Sequence, residues 1–212
     1  DLFTDGHKLY EKVLEDIYNA QHYIHLEYYT FELDGLGKRI LDALETKLKE
    51  GLEVKLLYDD VGSKKVRLSK FKHFRALGGE VEAFFPSKVP LINFRMNNRN
   101  HRKIIIIDGQ IGYVGGFNVG DDYLGLGKLG YWRDTHTRVQ GEGIDALQLR
   151  FILDWNSQSH RPQFKFDQKY FPKKIGDKGN AAIQIASSGP AFDLHQIEYG
   201  YTKMIMSAKK SI

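Results

Sequence analysis

The apolar positions first recur with a helical period. Tyr10, Val13, Leu14 and Ile17 fall at i, i+3, i+4 and i+7 and predict an amphipathic helix over 7–20. Residues 23–31 (YIHLEYYTF) are rich in aromatic and β-branched side chains and predict a strand. Leu36, Ile40, Leu41, Leu44 and Leu48 then define a second helix over 36–50, closed by Gly51. A strand at 54–59, a helix at about 67–77 ending at Gly78-Gly79, and a strand at 80–85 follow. This alternation predicts an α/β layered α-β-α fold: a mixed, largely parallel sheet flanked by helices.

The pattern changes after residue 85. Residues 86–100 form a loop bearing Pro and Asn, with Lys88, Arg95 and Arg99. RKIIII, Asp108-Gly109 and QIGYVGG then read as a hairpin, because Asp-Gly between two apolar runs suits a tight turn. A two-residue loop sets Ile107 opposite Gln110 and Lys103 opposite Val114; a slip of one residue would reverse the faces. A strand is expected at 132–139 and a helix at 142–155, with Ile144, Leu147, Phe151 and Trp155 inward. The polar, Lys-rich stretch 156–180 reads as a connector and AAIQIAS (181–187) as a new strand. The expected organisation is a domain over 1–158, a connector over 159–180 and the start of a second domain over 181–212. An internal match supports it. At an offset of 188, Asp5, His7, Ile17, Ala20 and Ile24 meet Asp193, His195, Ile205, Ala208 and Ile212.

Composition narrows the chemistry. The chain has 212 residues, 42% of them hydrophobic, enough for a sizeable core and too many for disorder. Cysteine is absent, which excludes disulfides, thiolate catalysis and iron–sulfur clusters. The net charge of +4 is mild and fits an anionic partner without requiring one. No run of 18 apolar residues occurs, so no transmembrane helix is expected. The opening DLFTDGHK has no signal-peptide pattern, and a first residue other than Met is expected of a mature form or an excised fragment.

One segment concentrates reactive side chains. On an extended strand His101 and Lys103 share a face, and the two-residue loop brings Asn118 to it beside Gly115 and Gly116. A neutral imidazole is a nucleophile toward phosphorus. An ammonium and an amide can donate to the oxygens where charge builds in the transition state. The two glycines are expected to open the backbone to a phosphate. Asp59-Asp60 and Asp121-Asp122 are read as solvated turns rather than a metal site, and His22 and His25 as surface or half-buried residues.

The full spacing, His101-x-Lys103, four residues, Asp108, six residues, Gly115-Gly116-x-Asn118, resembles the HxKx4Dx6GGxN signature of the phospholipase D superfamily at every fixed position. IHLEYYTF, LLYDDVGS, FFPSKVPLINFRMNNRNHRK, GGFNVGDDYLG and YWRDTH are further similar to the first catalytic half of bacterial cardiolipin synthases, and IQIASSGP with the last helix to the opening of the second half. The resemblance runs from residue 2 to 212 and implies a phospholipase D-like fold. It also implies a phosphatidyltransferase joining two phosphatidylglycerol molecules through a phosphohistidine, without metal or cofactor. His101 would be the active-site histidine, and Lys103 and Asn118 phosphate ligands. Asp134 would orient the imidazole, and Asp108 would fix the turn. Glu27 and Arg99 are weaker candidates for substrate contact.

The expected partners are an anionic phospholipid, a membrane surface, and a second HxK half in cis or from a homodimer; nucleic acid is not expected. The resemblance places the whole protein at the bacterial cell membrane, anchored by helices that this chain lacks, with the fragment itself soluble. Phe84, Phe85, Val89, Leu91, Ile92 and Phe94 among Lys88, Arg95 and Arg99 suggest a loop dipping into an anionic bilayer. Two other functions fit the motif: a homodimeric phosphodiesterase or nuclease, and an inactive lipid-binding half.

Overall fold

A computed structural model describes residues 1–86, 99–158, 164–176, 179, 181–189 and 195–212. Seven strands form one sheet: β1 (Leu2–Asp5), β2 (Tyr23–Tyr28), β3 (Glu53–Asp59), β4 (Glu80–Phe84), β5 (Ile104–Ile107), β6 (Ile111–Gly115) and β7 (Arg133–Gln140). Their order is β1-β7-β6-β5-β2-β3-β4. The helices are α1 (Gly6–Asn19), α2 (Gly35–Lys49), α3 (Lys72–Ala76), α4 (Gly143–Gln158) and α5 (Gln196–Ser207).

The sheet is mixed, but the expectation of a largely parallel one needs correcting. Parallel pairing is confined to β2, β3 and β4, where α2 and α3 carry the chain back for another pass. The other four pairings are antiparallel, because the second half of the sheet is built from hairpin turns and a returning N-terminal strand. That edge strand, β1, carries no alternating apolar pattern, and sequence reasoning missed it.

The four consecutive isoleucines of β5 show why the sheet sits at the centre. Ile105 and Ile107 pack into the cluster formed with α1 and α2, including Leu9, Val13, Ile17 and Ile40. Ile104 and Ile106 pack into the cluster on the α4 side, with Leu147, Phe151 and Trp155. A strand covered on both faces shows continuous rather than alternating hydrophobicity. Each fully buried side chain of this size contributes about 1.5–3 kcal/mol. The buried carboxylate of Asp16 on α1 meets Arg138 of β7 at 2.6 Å and tethers that helix to the sheet. His25, expected at or near the surface, is fully buried, stacked on Phe151 with ring centroids 4.7 Å apart.

The β5–β6 register differs by one from the two-residue turn. Ile107 opposes Ile111, so Asp108, Gly109 and Gln110 all lie in the turn. The cause is a second task for Asp108. Its carboxylate accepts the N–H groups of Gln21 (2.8 Å), His22 (2.8 Å) and Tyr23 (2.9 Å), where α1 passes into β2. This contact holds Asp108 in the left-handed region, φ 54°, followed by Gly109 at φ 61°.

The connector and C-terminal segment also depart in part from expectation. Residues 181–187 form no strand. Ile183 lies 3.6 Å from where a side chain on Gly143 would begin, and Ile185 packs on the α4-side cluster, so the segment runs against α4 rather than along a sheet edge. The last helix, α5, forms as the internal match predicts. The Ala208 N–H closes on Ile205 at 3.2 Å, as Ala20 closes on Ile17 at 3.1 Å at the end of α1. α5 buries none of its residues, and Ile197, Tyr201 and Ile205 are exposed where α1 buries Leu9, Val13 and Ile17. No helix among the described residues is long and apolar enough to cross a membrane. Of the proposed bilayer loop, Lys88, Val89, Leu91, Ile92, Phe94 and Arg95 lie outside the described residues.

Asp108→Ala removes three hydrogen bonds to a carboxylate and leaves a β-carbon in the left-handed region. It is expected to lower the unfolding free energy by about 2–4 kcal/mol in urea titration. Asp108→Asn keeps an acceptor and tolerates that backbone region, so it should lose about half as much. Wild-type stability for Asp108→Ala would refute the assignment.

Candidate active site

His101 precedes β5 on an irregular stretch, residues 99–103, at the end of the sheet where β2 stops. Lys103 lies two residues further on and is only 2% exposed. Its Nζ donates to the His101 carbonyl at 2.8 Å, stands 2.9 Å from Nδ1 of the same residue, and lies 5.3 Å from the Tyr29 ring centroid. The Tyr29 and His101 rings are 4.5 Å apart. The structure therefore brings His101 and Lys103 together.

Burial sets the electrostatics. Loss of water around the ammonium pulls Lys103 down to about 8, against the opposing field of Asp134. Burial and then the Lys103 charge push His101 below the ordinary imidazole value, against the fields of Asp59 and Asp134. Near neutral pH these directions favour a neutral imidazole beside a charged ammonium.

The other predicted residues are placed differently. Asn118 is buried, with Oδ1 accepting the Thr30 N–H at 2.9 Å and Nδ2 donating to the Tyr123 hydroxyl at 2.7 Å. Its carbonyl accepts from Tyr10 at 2.6 Å. No hydrogen bond joins it to His101 or Lys103 among the described residues. Asp134 accepts the Thr135 N–H at 2.7 Å and is not hydrogen-bonded to His101 among the described residues; it acts through its field. Arg138, four residues further along β7, pairs with Asp16.

The glycines meet a packing need, and Gly115 also lines the cavity that holds His101 and Lys103. A β-carbon on Gly116 would lie 1.9 Å from Asp134 Oδ1, and one on Gly115 2.4 Å from His136 Cα. They let β7 close over β6. Glu27 is 1% exposed and accepts from the Asn100 side-chain amide, which places it in the floor of the site. Arg99 lies 3.9 Å from Asp59 and lines a cavity of about 580 Å³ together with His101, Lys103, Arg102 and Arg150.

Several neighbours escaped sequence reasoning. Asn100 donates its N–H to Asp59 at 3.0 Å, and Arg102 meets Asp154 at 3.0 Å. Arg150 binds the same Asp154 carboxylate, a pairing their i, i+4 spacing on α4 could have signalled. His136 is buried, burial lowering it to about 4, and no sequence signal marks it. Asp121, half of one acidic pair, accepts the N–H groups of Gly35 (3.0 Å) and Leu36 (2.8 Å) at the start of α2.

The family described as "Cardiolipin synthase, PLD-like domain" matches residues 13–127. The chain is 99% identical over all 212 residues to cardiolipin synthase 1 of Staphylococcus epidermidis, 78% to that of Staphylococcus aureus, and 59% to cardiolipin synthase 2 of S. epidermidis. It spans 43% of the length of each of these relatives. Among solved structures it is similar to NucT from Helicobacter pylori, with a TM-score of 0.56 and 16% identity over 74% of this chain and 96% of that one. It is also similar to phosphatidylserine synthase of Haemophilus influenzae, with a TM-score of 0.57 and 16% identity over 73% of this chain and 36% of that one. Likeness at such identity speaks for the fold alone, but the family match covers more than half of the chain and includes the His101–Lys103 pair, and this chain belongs to the cardiolipin synthase family of phospholipase D-like domains.

Proposed function

We propose that this chain is one catalytic half of a phosphatidyltransferase that makes cardiolipin and glycerol from two phosphatidylglycerol molecules. The observation that carries the reading is the buried Lys103 ammonium in hydrogen-bond contact with the His101 ring. In the first step a ring nitrogen of His101 bonds to phosphorus and the phosphorus–oxygen bond to the departing glycerol breaks. In the second the hydroxyl of another phosphatidylglycerol displaces His101, and the new phosphodiester forms. Lys103, already desolvated and charged, turns from the imidazole to the non-bridging oxygens as negative charge grows there.

The leaving alkoxide needs a proton, and the incoming hydroxyl must lose one. A second His-x-Lys motif supplies this acid and base, in cis on a following domain or on another copy. The alignment of α5 with α1 at the offset of 188 supports a following domain that repeats the first, with 159–180 as connector. Asn118 is proposed as a phosphate ligand reached through its remaining amide hydrogen, and Asp134 as the group whose field favours the imidazolium-like transition state. Arg99 is proposed to bind the same anionic headgroup at the cavity wall. The whole protein is proposed to work at the membrane surface of the bacterial cell, where its lipid substrate lies.

The test is lipid mass spectrometry after incubation with phosphatidylglycerol vesicles, for the chain alone and supplied with a second half. Cardiolipin that disappears in His101→Ala is the expected result. No cardiolipin from either preparation, or full activity in His101→Ala, would overturn the reading. Lys103→Ala should cost on the order of a hundredfold in turnover, as loss of one oxyanion donor does. A loss below about threefold would contradict the role given to Lys103.

The pH profile follows from the pair. Turnover should rise as His101 loses its proton, with a midpoint below the ordinary imidazole value, and fall as Lys103 loses its own near about 8. Lys103→Arg, whose guanidinium stays charged, should abolish the alkaline fall whatever its absolute rate. An unchanged alkaline limb in that variant would assign the limb to another group.

A further inference from the structure

The segment that carries His101 has no regular structure of its own. Residues 99–103 precede the first ladder bonds of β5, so the sheet does not fix the imidazole. Its two neighbours are fixed instead. Asn100 is 2% exposed, and its N–H reaches Asp59 of β3 at 3.0 Å while its side-chain amide donates to Glu27 Oε1 of β2. Its Oδ1 accepts from the N–H and from Nη1 of Arg102, both at 3.2 Å. Arg102 in turn reaches Asp154 of α4 at 3.0 Å, and Arg150 grips the same carboxylate.

Glu27 lies at the base of this set, and its second oxygen makes it unusual. Oε2 is fully buried and receives no donor. Glu27 also interacts with the carboxylate of Asp154. Two carboxylates in contact inside a protein do not both ionise, because neither the low dielectric nor their mutual repulsion permits it. Burial and then Asp154 hold the proton on Glu27, against the opposing effects of Asn100 and Arg102. A proton on Oε2 would make that buried oxygen a donor toward Asp154, while Oε1 accepts from Asn100. The direction of this shift favours a neutral Glu27.

We propose that Glu27 is a positioning residue for His101: paired with Asp154 across the β2–α4 interface, it anchors Asn100 and thereby fixes where the imidazole stands. The proposal rests on His101 being the reacting group. It predicts that a neutral isostere substitutes and a shape without donors or acceptors does not, the reverse of what a carboxylate acting on substrate would show.

The test reads His101 directly, by NMR titration of carbon-13-labelled histidine in the 212-residue chain, with the His101 signal identified by its loss in His101→Ala. Glu27→Gln should leave the signal and its midpoint as in the wild type. Glu27→Leu should move both toward those of an exposed imidazole. Asn100→Ala, which cuts the same link from the surface side, should reproduce the Leu effect and stands in should Glu27→Leu not fold. Turnover should fall on the order of tenfold to a hundredfold in the Leu and Ala variants, as misplacement of a reacting group does, and stay within about threefold in Glu27→Gln. Equal loss in Glu27→Gln and Glu27→Leu would overturn the proposal in favour of an ionised carboxylate. An unmoved His101 signal in a folded Asn100→Ala would overturn it outright. If the signals behave as expected while His101→Ala still turns over, the assignment of His101 as nucleophile fails and the anchoring stands.

Discussion

The site depends on an ammonium held out of water beside an imidazole. An amine in this position gives up hydration worth several kcal/mol, and few compensating contacts are available to it. Lys103 has the His101 carbonyl, the His101 ring, the face of Tyr29 and the field of Asp134. None of these is a full counter-ion in contact. The resulting cation is poorly neutralised and already desolvated, which suits the proposed role of receiving a phosphodiester and stabilising the charge that builds on it. A fully ion-paired lysine would have to break its pair first. The conflict that lowers Lys103 to about 8 is therefore the same feature that makes it useful.

The sheet explains how such a residue can be held. Its parallel part, β2 to β4, ends where Glu27 and Asp59 point into the layer between sheet and α4, beside the irregular start of β5. Its antiparallel part, β5 to β7, brings Lys103 and Asp134 to the same end. The seam is the antiparallel pairing of β2 with β5, which sets Glu27 level with Ile104. Ligand sites in open sheets form where strand direction changes, because the flanking chain segments diverge there and leave a crevice. In this sheet the crevice opens above His101, with α4 as one wall.

The legible parts of this arrangement were those encoded locally. The helical period of α1 and α2, the isoleucine run of β5 and the two-residue step from His101 to Lys103 each depend on neighbours a few positions away. The register of the hairpin did not, because Asp108 answers to backbone N–H groups at Gln21, His22 and Tyr23 and so draws Gln110 into the turn. The packing need that Gly115 and Gly116 meet was hidden because β7, which brings His136 and Asp134 against them, lies some twenty positions away in sequence. The Glu27–Asn100–Asp154 set joins three elements, and no periodicity in any one of them announces it. AAIQIAS had the composition of a strand, but a strand also requires a hydrogen-bonding edge, and these residues lie on α4 instead.

The central claim is that His101 bonds to phosphorus while Lys103 holds the charge. It is tested most directly with a phosphatidyl donor carrying a nitrophenolate, a leaving group that departs without a general acid. One equivalent of nitrophenolate per chain should then be released in a burst, and peptide mass spectrometry should locate the phosphatidyl group on His101. Steady hydrolysis with no adduct, or an adduct on any other residue, would contradict the account.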